Sequence, residues 1–109
     1  MPLTMFRLAP GEAISYEIHL LQRPTAKGLR LDATRLREGP AADLVLALRD
    51  ARGEPLSEGR VPIDRGYLAV VREVRRQLLL AGELAPDEEF ELRRLPGQTA
   101  AVAAHRSRG

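Results

Sequence analysis

The sequence contains no cysteine, no tryptophan and no asparagine, and its only lysine is Lys27. Without cysteine the chain cannot form disulfides, thiolate metal sites or a cysteine nucleophile, so its stability must come from packing. One lysine against sixteen arginines indicates the coding bias of a GC-rich, bacterial genome. These absences exclude several kinds of chemistry without naming a function.

Long apolar segments are also missing. Residues 1–7 lack the apolar run and the cleavage site of a signal peptide, and no stretch approaches the roughly 18 apolar residues of a membrane-spanning helix. We therefore expect a cytoplasmic location and no membrane partner. A chain of 109 residues, 44% hydrophobic and 29% charged, has the composition of one soluble globular domain.

Charge of one sign is not in excess over most of the chain. Residues 1–97 contain fifteen basic and fifteen acidic side chains, and the net charge of +2 comes from Arg106 and Arg108. Because the last residues include few large apolar side chains, we expect one domain over residues 1–97 and a flexible basic tail over residues 98–109. The pI of about 9.7 is therefore no evidence for nucleic-acid binding by itself.

Alternation of apolar and polar residues predicts several strands. The clearest case is residues 13–21, where Ile14, Tyr16 and Ile18 share one face. Turn-forming residues separate this segment from others of the same kind, and the first two segments are expected to form a hairpin. The predicted strands cover residues 3–8, 13–21, 29–34, 43–49, 55–63 and 90–93.

Two of these segments indicate their own position in the sheet. Residues 43–49 carry apolar side chains on both faces, which predicts a strand buried on both sides and hence central. Residues 50–53 have the composition of a type I turn, so the chain is expected to return along residues 55–63. Pro55 and Pro62 cannot donate hydrogen bonds to a neighbouring strand, so this return strand is expected to be short, irregular or at a sheet edge.

A single segment predicts a helix, over residues 65–81. Asp64 is placed to cap its N-terminus, and Gly82 is placed to end it in a left-handed conformation. One side of this helix is apolar and should cover the sheet, whereas the opposite side is rich in arginine. The apolar side comprises Tyr67, Val70, Val71, Val74, Leu78 and Ala81.

The arginine-rich side is one candidate site, because several guanidinium groups on one face can bind the phosphates of a nucleic acid. A charged side facing solvent is, however, what any amphipathic helix presents, and only Phe6, Tyr16 and Phe90 would be left to stack on bases. Nucleic-acid binding is therefore the second interpretation. Its candidate residues are Arg65, Arg72, Arg75, Arg76, Arg106 and Arg108.

Three leucines of the same helix, Leu68, Leu79 and Leu80, fall outside its apolar side. Two of them flank Arg72 and Arg75, and mixed apolar and arginine side chains are typical of protein interfaces. The alternative is that a small domain wraps its helix more fully, or that the C-terminal tail covers the leucines. These three leucines and two arginines are the candidate protein-binding residues.

The remaining polar clusters are weak candidates for chemistry. The acidic run over residues 83–91 could pair with the basic helix across an interface, or it could simply solubilise a loop, and it lacks the ligand spacing of a calcium site. Glu17 and His19 lie two residues apart on one predicted strand, which is a common surface arrangement as well as a conceivable acid–base pair. We expect no catalytic site, no metal site and no cofactor.

The patterns together predict one α+β domain, in which an antiparallel or mixed sheet of five or six short strands packs against one amphipathic helix, in the style of a β-grasp or an α+β roll, with a split sandwich and a peripheral helix as the alternative. The expected function is that of a non-catalytic interaction module, a small subunit or adaptor that binds a protein partner or itself through these leucines and arginines or through an exposed strand edge. A nucleic-acid-binding accessory protein is the alternative. A small enzyme acting through Glu17 and His19 is the third interpretation.

Overall fold

The structure, a computed structural model, describes residues 4–22, 28–37 and 43–95, so the predicted tail over residues 98–109 lies outside the described residues. Five antiparallel strands form one sheet in the order β4-β3-β2-β1-β5, and helix α1 connects the two edge strands. This confirms an α+β domain with an antiparallel sheet and one helix. The elements are β1 (Ala13–Leu20), β2 (Arg30–Arg35), β3 (Asp43–Arg49), β4 (Pro55–Pro62), α1 (Gly66–Leu80) and β5 (Phe90–Arg94).

The register of the sheet puts the large apolar side chains on one face. Tyr16 of β1 lies opposite Leu31 of β2, which lies opposite Leu48 of β3. Since side chains alternate between faces along a strand, one such alignment fixes the rest of the ladder. The buried apolar residues of the sheet are Ile14, Tyr16, Ile18, Leu20, Leu31, Ala33, Leu44, Leu46, Leu48 and Val61.

Two elements share the covering of this apolar face. Helix α1 packs on β3 and β4, and an N-terminal 3-10 turn, Thr4–Arg7, packs beside β1 and β2. Met5 of the turn is fully buried, and its backbone N–H donates to the Tyr16 hydroxyl at 2.9 Å. The core is thus closed by the helix on one half of the sheet and by the N-terminal turn on the other.

The predicted strand over residues 3–8, and with it the N-terminal hairpin, is wrong. One edge of β1 pairs with β2 and the other, from Tyr16 to Leu20, pairs with β5, so a preceding strand has no free edge along most of β1. The apolar residues of the N-terminal segment instead pack into the core on the covered face of the sheet. Met5 and Leu8 are both buried there.

Strand β3 has the predicted bounds but not the predicted environment. It lies second from the edge, and β2 is the central strand. Its leucines are buried, whereas Val45 and Ala47 on the other face are only partly buried. The prediction of a central strand buried on both sides is wrong because only one face of this sheet is covered, and small apolar residues tolerate the open face.

The return strand β4 is an edge strand, as its prolines predicted. The turn before it has the expected hydrogen bond, in which the N–H of Gly53 donates to the carbonyl oxygen of Asp50 at 2.9 Å. The Asp50 carboxylate also accepts from the backbone N–H groups of Arg52 and Glu54. A register shift between Leu48 and Arg49 makes the β3–β4 pairing irregular.

Helix α1 ends as predicted but begins differently. Gly82 adopts a φ of 74°, and the N–H of Glu83 donates to Leu78 O at 2.9 Å, which completes a Schellman motif. Asp64, expected to cap the N-terminus, lies in a 3-10 turn, Ile63–Arg65, and the helix has no side-chain cap. The first residue, Gly66, has a φ of 81° and lets the chain bend between the turn and the helix.

Candidate protein-interaction surface

Helix α1 buries a narrower face than the sequence predicts. Its buried residues begin at Val70 and include Val74, Gln77 and Leu78. Tyr67 belongs to the predicted apolar side, yet 48% of it is exposed. The prediction that Tyr67 faces the core is wrong, since a helical wheel gives a direction but does not show how far along the helix the sheet extends.

The leucines expected outside the apolar side are indeed exposed. Leu68 is 68% exposed, Leu80 is 72% exposed and Leu79 is 38% exposed. Within the described part of the chain, six large apolar side chains are exposed, and four of them, these leucines and Tyr67, lie on α1. The exposed apolar groups are therefore concentrated on one element and are not scattered over the surface.

Two of the arginines on α1 are held by contacts within the domain. Arg75 donates to the carbonyl oxygen of Glu88 at 2.9 Å and to the Glu89 carboxylate at 3.3 Å, and its guanidinium lies 5.3 Å from the centroid of the Phe90 ring. Arg76 binds the Glu73 carboxylate through two nitrogens, at 2.9 and 2.6 Å. Both side chains thus carry less unpaired positive charge than a helical wheel suggests.

The other arginines of the nucleic-acid interpretation differ from these two. Arg65 and Arg72 are exposed, and no hydrogen bond or ion pair is recorded for either among the residues that the structure covers. Arg106 and Arg108 lie outside the described residues. Of the six predicted phosphate-binding arginines, the structure therefore places two at the surface free of carboxylate partners.

The acidic segment after the helix is a structured connection to β5. The carboxylate of Glu88, which is buried, accepts a hydrogen bond from the backbone N–H of Ala85 at 2.8 Å. The backbone N–H of Glu89 donates to the Gln22 side chain at 3.0 Å, which fastens the segment to the end of β1. Gly82, Leu84 and Glu88 line a shallow depression here that is open to solvent.

A buried polar network between α1 and the sheet was missed by the sequence analysis. Gln77 is fully buried, and its amide nitrogen donates to Leu46 O at 3.0 Å and to the Glu73 carboxylate at 2.8 Å. Its amide oxygen accepts from the Ser57 hydroxyl at 2.7 Å. One sequence signal could have indicated that the helix comes close to the sheet here. It is Gly59 in β4, the strand beneath this part of the helix.

Glu73 connects this network to solvent. Its hydrogen bonds from Arg76 lower the pKa of the Glu73 carboxyl below the ordinary value of 4.5, against the effect of partial burial. The carboxylate is therefore charged at neutral pH and bridges an exposed guanidinium to a buried amide. This arrangement is structural, because every polar group in it has a partner inside the domain.

The uncovered face of the sheet brings together the polar residues of the enzyme interpretation. His19 lies 2.9 Å from Glu17, and both side chains are partly open to solvent. On the same face Asp32 accepts from the Ser15 hydroxyl at 2.6 Å and from Arg49 at 2.8 Å. These are short pairs across or along strands, in which each carboxylate is already bound by a neighbour.

Among residues 4–22, 28–37 and 43–95, no group of three or more histidine, aspartate or glutamate side chains is arranged to hold a metal ion. The helix of this same region is too short and too polar to cross a membrane.

Comparison with known proteins gives no relative: no family model, no curated protein and no solved structure matches the chain.

Proposed function

We propose that the protein is a non-catalytic interaction module, a small subunit or adaptor, that binds a protein partner through the exposed surface of α1. The observation that carries this proposal is the concentration of Tyr67, Leu68, Leu79 and Leu80 at the surface of one helix. Single apolar residues at a protein surface need no explanation. Four on one 15-residue helix form a surface that gains free energy when it is covered.

The gain is large enough to matter for binding. Full burial of one leucine side chain is favourable by about 1.5–3 kcal/mol. The most exposed leucines, Leu68 and Leu80, therefore offer several kcal/mol between them, against the cost of association. Arg72 lies between them on the helix and adds the kind of charged, amphipathic side chain that protein interfaces favour.

Photo-crosslinking from the helix surface tests this proposal. A photoreactive amino acid at Leu68 should give a discrete protein adduct in the native cells, and Leu79→Glu in the same chain should remove it. The matched control places the same photoreactive group at Ala51, which is also exposed but lies in the β3–β4 turn. Identical adducts from both positions, or none from position 68, would contradict the proposal.

The stability of the variant completes the experiment. Leu79 is only 38% exposed, so Leu79→Glu should lower the free energy of unfolding by about 1–2 kcal/mol. A loss of several kcal/mol would mean that Leu79 is part of the core. The missing adduct would then report unfolding and not a lost interface.

A further inference from the structure

The exposed side of α1 carries a pattern that reads the same in both directions. Leu68, Arg72, Arg75 and Leu79 are separated by four, three and four residues, and we call these four residues the helix stripe. Such spacings place all four side chains along one line of the helix surface. The stripe therefore has apolar ends and a basic centre, and it is symmetrical about its midpoint.

We infer that the helix stripe binds the same stripe of a second copy of this chain, with the two helices antiparallel and related by a two-fold axis. This inference rests on the proposed function and names the partner of the proposed surface. In an antiparallel pair centred between Glu73 and Val74, Leu68 of each copy comes level with Leu79 of the other. Under a two-fold axis Leu68 of each copy meets Leu79 of the other, so the leucines at both ends of the stripe cover each other.

The charge of Glu89 lowers the electrostatic cost of this pairing. Arg72 comes level with Arg75 of the second copy, whose guanidinium already binds Glu89. The Glu89 side chain is 62% exposed, so its carboxylate has room to accept from a second guanidinium. One carboxylate thus reduces the repulsion between the two arginines of each level without cancelling it, and antiparallel helices oppose their dipoles favourably.

A parallel pair lacks these features. It would bring Arg72 level with Arg72 of the second copy, and among the described residues no carboxylate is bound to this side chain. It would also align the two helix dipoles unfavourably. The charges on the helix therefore select the antiparallel orientation.

The predicted dimer is weak. A 15-residue helix is about 22 Å long, and one helix pair of this length buries less than the roughly 1,200 Å² that mark stable interfaces. We expect a dissociation constant in the micromolar range. Sedimentation velocity of the full chain from about 1 to about 200 µM should therefore shift from the 12.0 kDa monomer towards twice that mass.

The substitution Leu79→Glu should weaken this association by roughly 100-fold, because the two-fold axis places the introduced charge in the interface twice. Thermal unfolding of the variant at low concentration serves as its folding control. A monomeric wild-type chain over the whole range, or dimerisation that Leu79→Glu leaves unchanged, would overturn the inference.

Single cysteines report the orientation, since the chain has none of its own. In the antiparallel pair the two copies of position 72 are about 4.5 Å apart along the helix axis, and helices in contact are about 8–10 Å apart, so a disulfide can form after Arg72→Cys. The two copies of position 68 are about 16 Å apart along the axis in the antiparallel pair but level with each other in a parallel pair. Leu68→Cys is the matched control, because Leu68 lies on the same helix stripe and is 68% exposed.

Mild oxidation should thus crosslink the Arg72→Cys chain into a dimer and leave the Leu68→Cys chain monomeric. Equal crosslinking of both variants would overturn the antiparallel arrangement. The proposed function fails separately: a monomeric chain that still yields an adduct with a different protein from position 68 refutes self-pairing alone. A monomeric chain without any adduct refutes both.

Discussion

Replacing Gly59 by alanine should destabilise the protein only while Glu73 is present. Gly59 lies in β4 beneath α1, and a Cβ atom added to it would collide with the Glu73 carboxylate, lying 2.8 Å from its Cδ atom and 3.1 Å from Nε2 of Gln77. The backbone of Gly59 does not require glycine, since its φ is not in the left-handed region. The whole effect of the substitution therefore comes from the approach of the helix.

Two opposing contributions set the magnitude. A displaced Glu73 loses its hydrogen bond to Gln77, and a bond to a charged group is worth about 1.5–3 kcal/mol. Alanine at a compatible glycine position stabilises by about 0.4–1 kcal/mol through the unfolded chain. Gly59→Ala should therefore lower the free energy of unfolding by about 1–2 kcal/mol in the wild-type background. Each kcal/mol lowers the melting temperature by about 4–8 °C.

In the Glu73→Ala background the obstructing carboxylate is gone. Gly59→Ala should then be neutral or stabilising by up to about 1 kcal/mol, which gives a coupling of roughly 1–3 kcal/mol between the two positions. Urea unfolding of the four chains of the cycle measures this coupling. An equal cost of Gly59→Ala in both backgrounds would refute the packing described here.

Three further predictions concern other parts of the molecule. Because the pKa of Glu73 is lowered in the folded state, its contribution to stability is present above pH 4.5 and is lost as the pH falls through the lower folded value. Glu73→Gln should therefore show a shallower loss of stability than the wild type in urea unfolding between about pH 5 and pH 3. Tyr16→Phe should cost about 1–2 kcal/mol, because it leaves the buried Met5 N–H without its acceptor. Burial raises the pKa of Tyr16 above 10.0, so the stability of the wild type should fall as the pH rises through that value. Urea unfolding at about pH 8 and about pH 10.5 should therefore show a smaller loss of stability in Tyr16→Phe than in the wild type. Fluorescence-anisotropy titration with short DNA and RNA should show no binding at physiological salt, and micromolar binding that persists there would transfer the function to Arg65 and Arg72.

Much of the fold could be predicted because local patterns and tertiary packing agree. Residues 13–21 alternate in polarity and became β1, residues 43–49 form an apolar run of strand length and became β3, and Gly82 ended the helix where a left-handed residue was expected. Prolines marked β4 as an edge strand because they cannot donate to a neighbour on both sides. Each of these features depends on residues close together in the chain.

The candidate surface was predicted in part for the same reason. A helical wheel separated Leu68, Leu79 and Leu80 from the buried side, and all three are exposed. The wheel could not show that Arg75 contacts Phe90 of β5 and Glu89 just before that strand. Those contacts depend on where the chain returns after the helix. It also could not show that Gln77 would be the buried polar residue of the helix.

The sequence by itself determined the class of the fold, most of its strands, and the polarity of its helix, because these follow from the periodicity of side chains along a backbone. Tertiary structure alone decided which strand edges and faces remained free. Residues 3–8 form no strand because β5, distant in sequence, occupies the second edge of β1. The exposure of Tyr67 and the burial of only one face of β3 depend likewise on how much of the sheet the helix and the N-terminal turn cover. That extent is a property of the assembled chain and of no single segment.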